Sequence, residues 1–446
     1  MSGPTRREFL QSALAASTLL AAGGALAGCG WRRGGRRPHI ILVMCDDLGY
    51  GDVGFTGATA YTTPHIDRIA REGMVLRQAY SAAPVCSPTR VALMTGRYPA
   101  RDPAGLHEPL TTHPIGLTPS PTTLPRLLRD AGYRTALVGK WHLGTAPDYH
   151  PLEHGFDEFY GFLGAGGDYF TKEDSGYRRP LFFDNREPVT TDGYMTDLLT
   201  ARAEKIIATR SEAPLFLSLQ YNAPHWPWQG PADHRRPSVD DWKAGGSPEV
   251  FAAMMRSLDD GVGRVLAALD AAGMSNDTLL VFTSDNGGER FSHMGPFSHA
   301  KMTVGEGGLR VATAVRWPAR IAAASHSDQV AVTMDWTATF AALAAAPALR
   351  PLDGISLLPA LGGAPSIPRT LFWRVTQRRQ QKAVRHGDLK YVENEEGAHL
   401  FDLAADPGER TNLIGANADA ATDLRGRLAT WESQMLPPVP LEERYR

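Results

Sequence analysis

Four short apolar runs, each opening into a cluster of polar residues, constrain this chain more than any other feature. Residues 40–44 (Ile-Ile-Leu-Val-Met) lead into Cys45-Asp46-Asp47-Leu48-Gly49-Tyr50-Gly51, and residues 135–138 into Gly139-Lys140-Trp141-His142-Leu143-Gly144. Residues 215–219 lead into Gln220-Tyr221-Asn222-Ala223-Pro224-His225, and residues 279–282 into Thr283-Ser284-Asp285-Asn286-Gly287-Gly288. Continuous apolar runs of this length suit strands buried on both faces, which requires a parallel sheet covered by helices. Helical patterns over 122–131, 196–208 and 250–272, the last stopped by Gly273, supply the covering layers. The predicted class is α/β, a mostly parallel central sheet between helices. In such sheets ligands sit beyond the carboxyl ends of the strands, and all four polar clusters fall at that end.

Each cluster alone also reads as a turn or a solvated loop. Together, the carboxylates of Asp46, Asp47 and Asp285 and the amide of Asn286 form one hard oxygen cage, suited to a single Ca²⁺ or Mg²⁺. No Cys/His set has zinc spacing. Cys86 precedes Pro88, which suits a first helical turn, and Gly96 suits a C-terminal stop. The thiol is thus expected at a helix N-terminus, where free N–H groups favour an anion.

Charge narrows the partners. The chain carries 46 basic and 48 acidic residues, but residues 1–37 hold six Arg against one Glu, so the body is acidic. An acidic body argues against a nucleic-acid binder, and any anionic substrate needs a local cationic pocket. The basic start reads as an address. Thr5-Arg6-Arg7-Glu8-Phe9-Leu10 matches a twin-arginine export signal, and Leu26-Ala27-Gly28-Cys29 resembles a bacterial lipobox. The expectation is a periplasmic or cell-surface protein anchored by lipid at Cys29, touching membrane only through that end. Residues 30–37 would form a flexible tether. With three cysteines there is no disulfide framework, so the core must carry stability.

Cys86-Ser87-Pro88-Thr89-Arg90 is a Cys-x-Pro-x-Arg motif, followed by Leu93-Met94-Thr95-Gly96-Arg97. Thr63-Pro64-His65-Ile66-Asp67, residues 301–310 ending in Glu306-Gly307-Gly308-Leu309-Arg310, and Leu400-Phe401-Asp402-Leu403 through Asn412 follow in order. With the strand-end clusters, these resemble the type I, formylglycine-dependent sulfatases of the alkaline phosphatase superfamily, over nearly all of the chain after residue 38. The resemblance implies that a formylglycine-generating enzyme oxidises Cys86 to formylglycine. It implies that Asp46, Asp47, Asp285 and Asn286, with the modified residue 86, hold one divalent ion, usually Ca²⁺. Arg90, Lys140 and Lys301 match the cations that hold the formylglycine hydrate and the sulfate; His142 and His225 match the catalytic histidines. Lys140, His225 and Lys301 would contact substrate.

The reaction so implied is hydrolysis of an aryl or carbohydrate sulfate to an alcohol and inorganic sulfate, with Asp285 as proton acceptor for the nucleophile. The alternatives are a phosphonate monoester or phosphodiester hydrolase of the same superfamily, and an inactive carbohydrate-binding lipoprotein. Specificity is expected from loops around Tyr50, Leu106-His107-Glu108, Asp168-Tyr169-Phe170, Trp226 and Trp228, and the stretch from His293 to His299. The expected organisation is signal and tether over 1–37, a catalytic domain over 38–365, and a C-terminal subdomain over 366–446. In the last, strands at 370–374, 381–384 and 389–392 and a helix over 418–435 suggest an antiparallel sheet with one packed helix.

Overall fold

A computed structural model describes residues 37–107, 115–174, 182–234, 243, 245–347, 350–376 and 379–439. The address segment, Cys29 and Glu108 lie outside the described residues. Among those described, the main sheet runs Ser325–Ser327, Met74–Leu76, Ala314–Arg316, Thr278–Ser284, His39–Asp46, Leu215–Pro224, Arg134–Lys140, Glu158–Phe162, Phe182–Asp184, Glu187–Pro188. The five strands from Thr278–Ser284 to Glu158–Phe162 are parallel throughout. Ala314–Arg316 and Phe182–Asp184 flank them antiparallel.

Burial on both faces explains the unbroken apolar runs. Ile41, Val43 and Cys45 join one core with Leu217, Leu219, Leu280 and Phe282. Ile40, Leu42 and Met44 join a second with Phe216, Leu279 and Val281. A fully buried aliphatic side chain contributes about 1.5–3 kcal/mol, so apolar packing holds both faces of these strands. Helices Met195–Ala208 and Pro248–Ala271 cover the first face; Cys86–Thr95, Leu124–Asp130 and Met334–Ala344 cover the second. The strand carrying Lys140 approaches its neighbour closely at Gly139 (φ 111°), where an added Cβ would lie 1.9 Å from the Gln220 carbonyl oxygen. Only glycine suits that conformation and that gap.

Strands Thr370–Val375, Gln381–His386, Leu389–Asn394 and Gly397–Asp402 form a separate antiparallel sheet against the helix Ala418–Glu432. Gly397–Asp402 exceeds the three strands the alternation predicts, because its Gly-Ala-His start hides the period. The helix stops at Glu432 and not at 435; the N–H groups of Ser433 and Met435 still turn back onto Ala429 and Glu432, so the pattern extends past the regular helix. A buried ionic cluster ties this sheet to segments that flank the larger one. Glu306 Oε1 accepts from Lys390 Nζ at 2.9 Å, and Oε2 from Tyr80 Oη at 2.7 Å and Arg310 Nε at 3.0 Å. Lys390 Nζ also lies 2.9 Å from Glu409 Oε1.

Candidate active site

The four strand ends deliver their polar clusters to one edge of the sheet. Asp46 ends His39–Asp46, and Asp47 follows at φ 65°, in the left-handed region where the chain turns sharply. Opposite them the fully buried helix Cys86–Thr95 begins at Cys86 and closes at Gly96 (φ 67°), so the thiol sits at a helix N-terminus as the sequence suggests. Cys86 Sγ donates to Asp46 Oδ1 at 3.2 Å and lies 3.8 Å from Asp47 Oδ1.

One turn on, Arg90 places Nε and Nη2 on Asp285 Oδ2 at 3.2 and 2.8 Å. Its Nη1 reaches the Lys140 carbonyl at 3.1 Å and Gln220 Oε1 at 3.0 Å. Lys140 Nζ donates to Asp46 Oδ2 at 2.7 Å, and Lys301 Nζ to Asp47 at 2.7 Å. His225 Nε2 lies 3.6 Å from Asp47 Oδ2, while its Nδ1 meets the Trp226 carbonyl at 2.6 Å. His142 is buried with neither ring nitrogen partnered.

The electrostatics follow from this packing. Burial works to raise the Asp47 carboxyl, but Lys301, His225 and Lys140 outweigh it and hold it well below the carboxylate range. Asp285 goes the other way: burial and Asp46 push it up to about 6 in spite of Arg90. Burial, reinforced by Lys140 and Arg90, pushes His142 far down, and burial does the same to His225 against the pull of Asp47. Both imidazoles are therefore neutral at pH 7. Burial, Asp285 and Asp46 push the Cys86 thiol far up, so an unmodified Cys86 is a protonated, poor nucleophile here.

The donor set fits a hard divalent cation. One atom each of Asp46, Asp47, Cys86 and His225 lie within 4.8 Å of one another. Asn286 Nδ2 donates to Asp47 Oδ1 at 2.7 Å and to the Gly287 carbonyl at 2.8 Å, which leaves its Oδ1 buried without a partner. An orphaned amide oxygen beside carboxylates is a ligand in waiting. Asp285 is brought to the same edge, accepting from the Asp47 N–H at 3.3 Å, but its Oδ2 turns to Arg90. Asp46 and Asp47 thus meet the thiol directly, while Asp285 acts on it through space.

The sulfatase family profile matches residues 38–346. The chain belongs to the sulfatase family. It is 35% identical to N-acetylgalactosamine-6-sulfatase of Mus musculus over 404 residues, covering 84% of this chain and 74% of that one. It is 33% identical to steryl-sulfatase of Mus musculus, covering 81% and 70%. The solved structure of Ps i-CgsB in complex with k-i-k-neocarrahexaose matches with a TM-score of 0.82 at 31% identity, over 92% of this chain and 95% of that one. This sulfatase is accordingly a sulfuric ester hydrolase with the alkaline-phosphatase-like architecture, and membership implies a divalent metal and a formylglycine.

The loops named from sequence divide in two. Trp226 and Tyr50 stand at the rim, Tyr50 edge-on to Phe297 at 4.8 Å, and His293 and His299 are exposed. Trp228 and Tyr169 belong to the core. Tyr169 Oη donates to the carbonyls of Asn222 and His225 at 3.1 and 2.9 Å, so it braces the loop that carries His225. Sequence reasoning missed this role, and that of Gln220 beneath Arg90, because both depend on contacts far apart in the chain. A cleft of about 1100 Å³ at the opposite edge of the sheet, bordered by Arg134, Leu215 and Asp277, contains none of these groups.

Proposed function

We propose that this sulfatase hydrolyses a carbohydrate sulfate, using formylglycine formed at Cys86 and one bound Ca²⁺, with Mg²⁺ as the competing ion. The observation that carries the reading is one-to-one pairing at the sheet edge: Asp46 with Lys140, Asp47 with Lys301, and Asp285 with Arg90. Those six groups sum to zero, so a divalent ion held by Asp46, Asp47, Asp285 and Asn286 leaves a net +2 pocket on an acidic protein. When bound, the ion would act as a Lewis acid on a sulfate oxygen and on the nucleophile. Oxidised and hydrated, position 86 would supply a gem-diol, a nucleophile able to release sulfate again.

The chain's own groups do the rest. Arg90 fixes Asp285 through its fork and keeps the helix start aimed at the carboxylates. Lys140 and Lys301 hold sulfate oxygens and offset the charge growing on them. Lys301, and His225 once its Nε2 has taken up a proton, are the candidate donors to the leaving oxygen, and neutral His142 is ready to accept a proton. Asp285, oriented by the two Arg90 contacts to its Oδ2, is the proton acceptor for the nucleophile.

The carbohydrate assignment draws support from the neocarrahexaose complex of Ps i-CgsB and from the N-acetylgalactosamine-6-sulfatases. The steryl-sulfatase relative sets the competing class. The test is a panel of sugar sulfates, an aryl sulfate, a phosphonate monoester and a phosphodiester, offered to enzyme whose residue 86 is an aldehyde by peptide mass spectrometry. Sulfate release from a sugar ester, lost in Cys86→Ser at unchanged melting temperature, is the expected result. Turnover confined to the phosphorus esters overturns the reading. Export by the twin-arginine route and lipidation at Cys29 are proposed on residues 5–10 and 26–29; Cys29→Ala should abolish radiolabelled fatty-acid incorporation.

A further inference from the structure

Glu289 follows the Asp285–Gly288 turn and has no part in the chemistry above. Its Oε2 is buried and has no hydrogen-bond partner. The backbone fixes it in place: its carbonyl accepts from the Ser292 N–H at 2.9 Å, and the preceding Gly288 carbonyl accepts from the Lys301 N–H at 3.1 Å. The charges that act on it most strongly are Asp47, Lys301 and Lys243. Lys301 Nζ lies 2.7 Å from both Asp47 oxygens. Lys243 Nζ lies 4.6 Å over the Trp226 ring, and that ring's centroid is 4.6 Å from that of His225. Glu289, Lys243 and Trp226 therefore continue the wall that begins with His225 and Lys301.

We infer that Glu289 is a specificity-determining residue, whose carboxylate accepts hydrogen bonds from hydroxyl or amide N–H groups of the sugar ring that carries the sulfate. This rests on the carbohydrate reading proposed above. A buried carboxylate oxygen without a donor is costly to leave, and a ring hydroxyl removes that cost while an aryl ester cannot. The same charge opposes a second sulfate at this position, so the preferred ring carries one anionic group and free hydroxyls next to it.

The test uses holoenzyme with aldehyde at residue 86, the variants Glu289→Ala and Glu289→Gln, a panel of monosulfated galactose and N-acetylgalactosamine isomers, a disulfated sugar, and 4-nitrophenyl sulfate. Glu289→Ala should lose about 10- to 100-fold in kcat/KM on the best monosulfated sugar, yet stay within about twofold on the aryl ester. Glu289→Gln, which keeps an acceptor oxygen without the charge, should retain part of the sugar activity and shift preference toward the disulfated sugar. Equal losses on both ester classes would mean that Glu289 serves Lys301 and Asp47 instead, and unchanged sugar kinetics would mean that it touches no substrate; either overturns the inference while the carbohydrate reading stands. If wild-type enzyme cleaves the aryl ester and no sugar sulfate, the carbohydrate reading falls and this inference falls with it.

Discussion

Replacing Lys390 by Met probes how the segment that carries Lys301 is held in place. Lys390 is fully buried, with Nζ 2.9 Å from Glu306 Oε1 and 2.9 Å from Glu409 Oε1. Burial opposes ionisation of Glu306, but Lys390, Arg310 and Arg385 overcome it and hold the carboxyl at about 2, against an ordinary 4.5. At about 1.4 kcal/mol per pH unit, that depression stands for about 3 kcal/mol of stability. Lys390 is the largest of the opposing influences, and stripping one partner from a buried ion pair costs about 3–5 kcal/mol by experience with other proteins. Both routes give about 3 kcal/mol. Because the folded pKa is depressed, the contribution is complete above pH 4.5 and fades as pH falls toward 2. Urea unfolding of Lys390→Met at pH 7 should therefore show a deficit of about 3 kcal/mol, smaller by about 1 kcal/mol at pH 3.5. Activity should also drop, since Glu306 opens the helix that follows Lys301 and its N–H is held by Glu409 at 2.6 Å. A deficit below about 1 kcal/mol at pH 7, or one that does not change with pH, would refute the reasoning.

Burial pushes Asp52 up to about 6 against donors from the His293 N–H, Tyr61 and the Gly49 N–H, so its contribution is complete below pH 3.8 and is lost as pH rises through 6. Asp52→Asn should erase that slope from the pH profile of unfolding, and a profile that keeps it counts against the assignment. Tyr169→Phe loses donors to two carbonyls of the His225 loop, and kcat should fall severalfold with KM and melting temperature nearly constant; an unchanged kcat denies the bracing role. Gly139→Ala forces a Cβ to 1.9 Å from the Gln220 carbonyl and should cost about 2 kcal/mol or more while displacing Lys140. Wild-type melting and activity in that variant would show the strand gap to be slack.

The sheet centre was legible because burial on both faces leaves no room for alternation: Ile40 through Cys45 have no exposed surface, and each odd or even set enters its own core. Helix start and stop chemistry at Pro88 and Gly96 likewise puts Cys86 at a helix N-terminus. What the sequence hid is set by contacts between distant segments. Asp285 reads from sequence as one more oxygen ligand, and only the fold shows that Arg90, 195 residues away, meets its Oδ2. Trp228 and Tyr169 read as rim aromatics because they sit among polar residues, but their rings pack into the core, where Trp228 meets Phe291 edge-on at 4.8 Å. Neighbours in sequence say nothing about such burial. The Glu289 carboxylate escaped notice for the same reason, since only the fold brings Lys243 and Lys301 beside it.

Lys140 and Lys301 are engaged by Asp46 and Asp47, the carboxylates that would hold the divalent ion. A bound cation would compete with those lysines for the same oxygens and would leave a lysine to meet sulfate. Binding of the two ions must then be mutually favourable, and by linkage the factor is the same in both directions. Calorimetry should find inorganic sulfate bound at least about tenfold more tightly with Ca²⁺ than with chelator, a coupling of about 1.4 kcal/mol. Lys301→Met separates this account from simple charge loss: it should weaken sulfate binding and strengthen Ca²⁺ binding, because Asp47 loses its competing partner. If that substitution weakens both, Lys301 is a scaffold for the metal site and the competition does not exist.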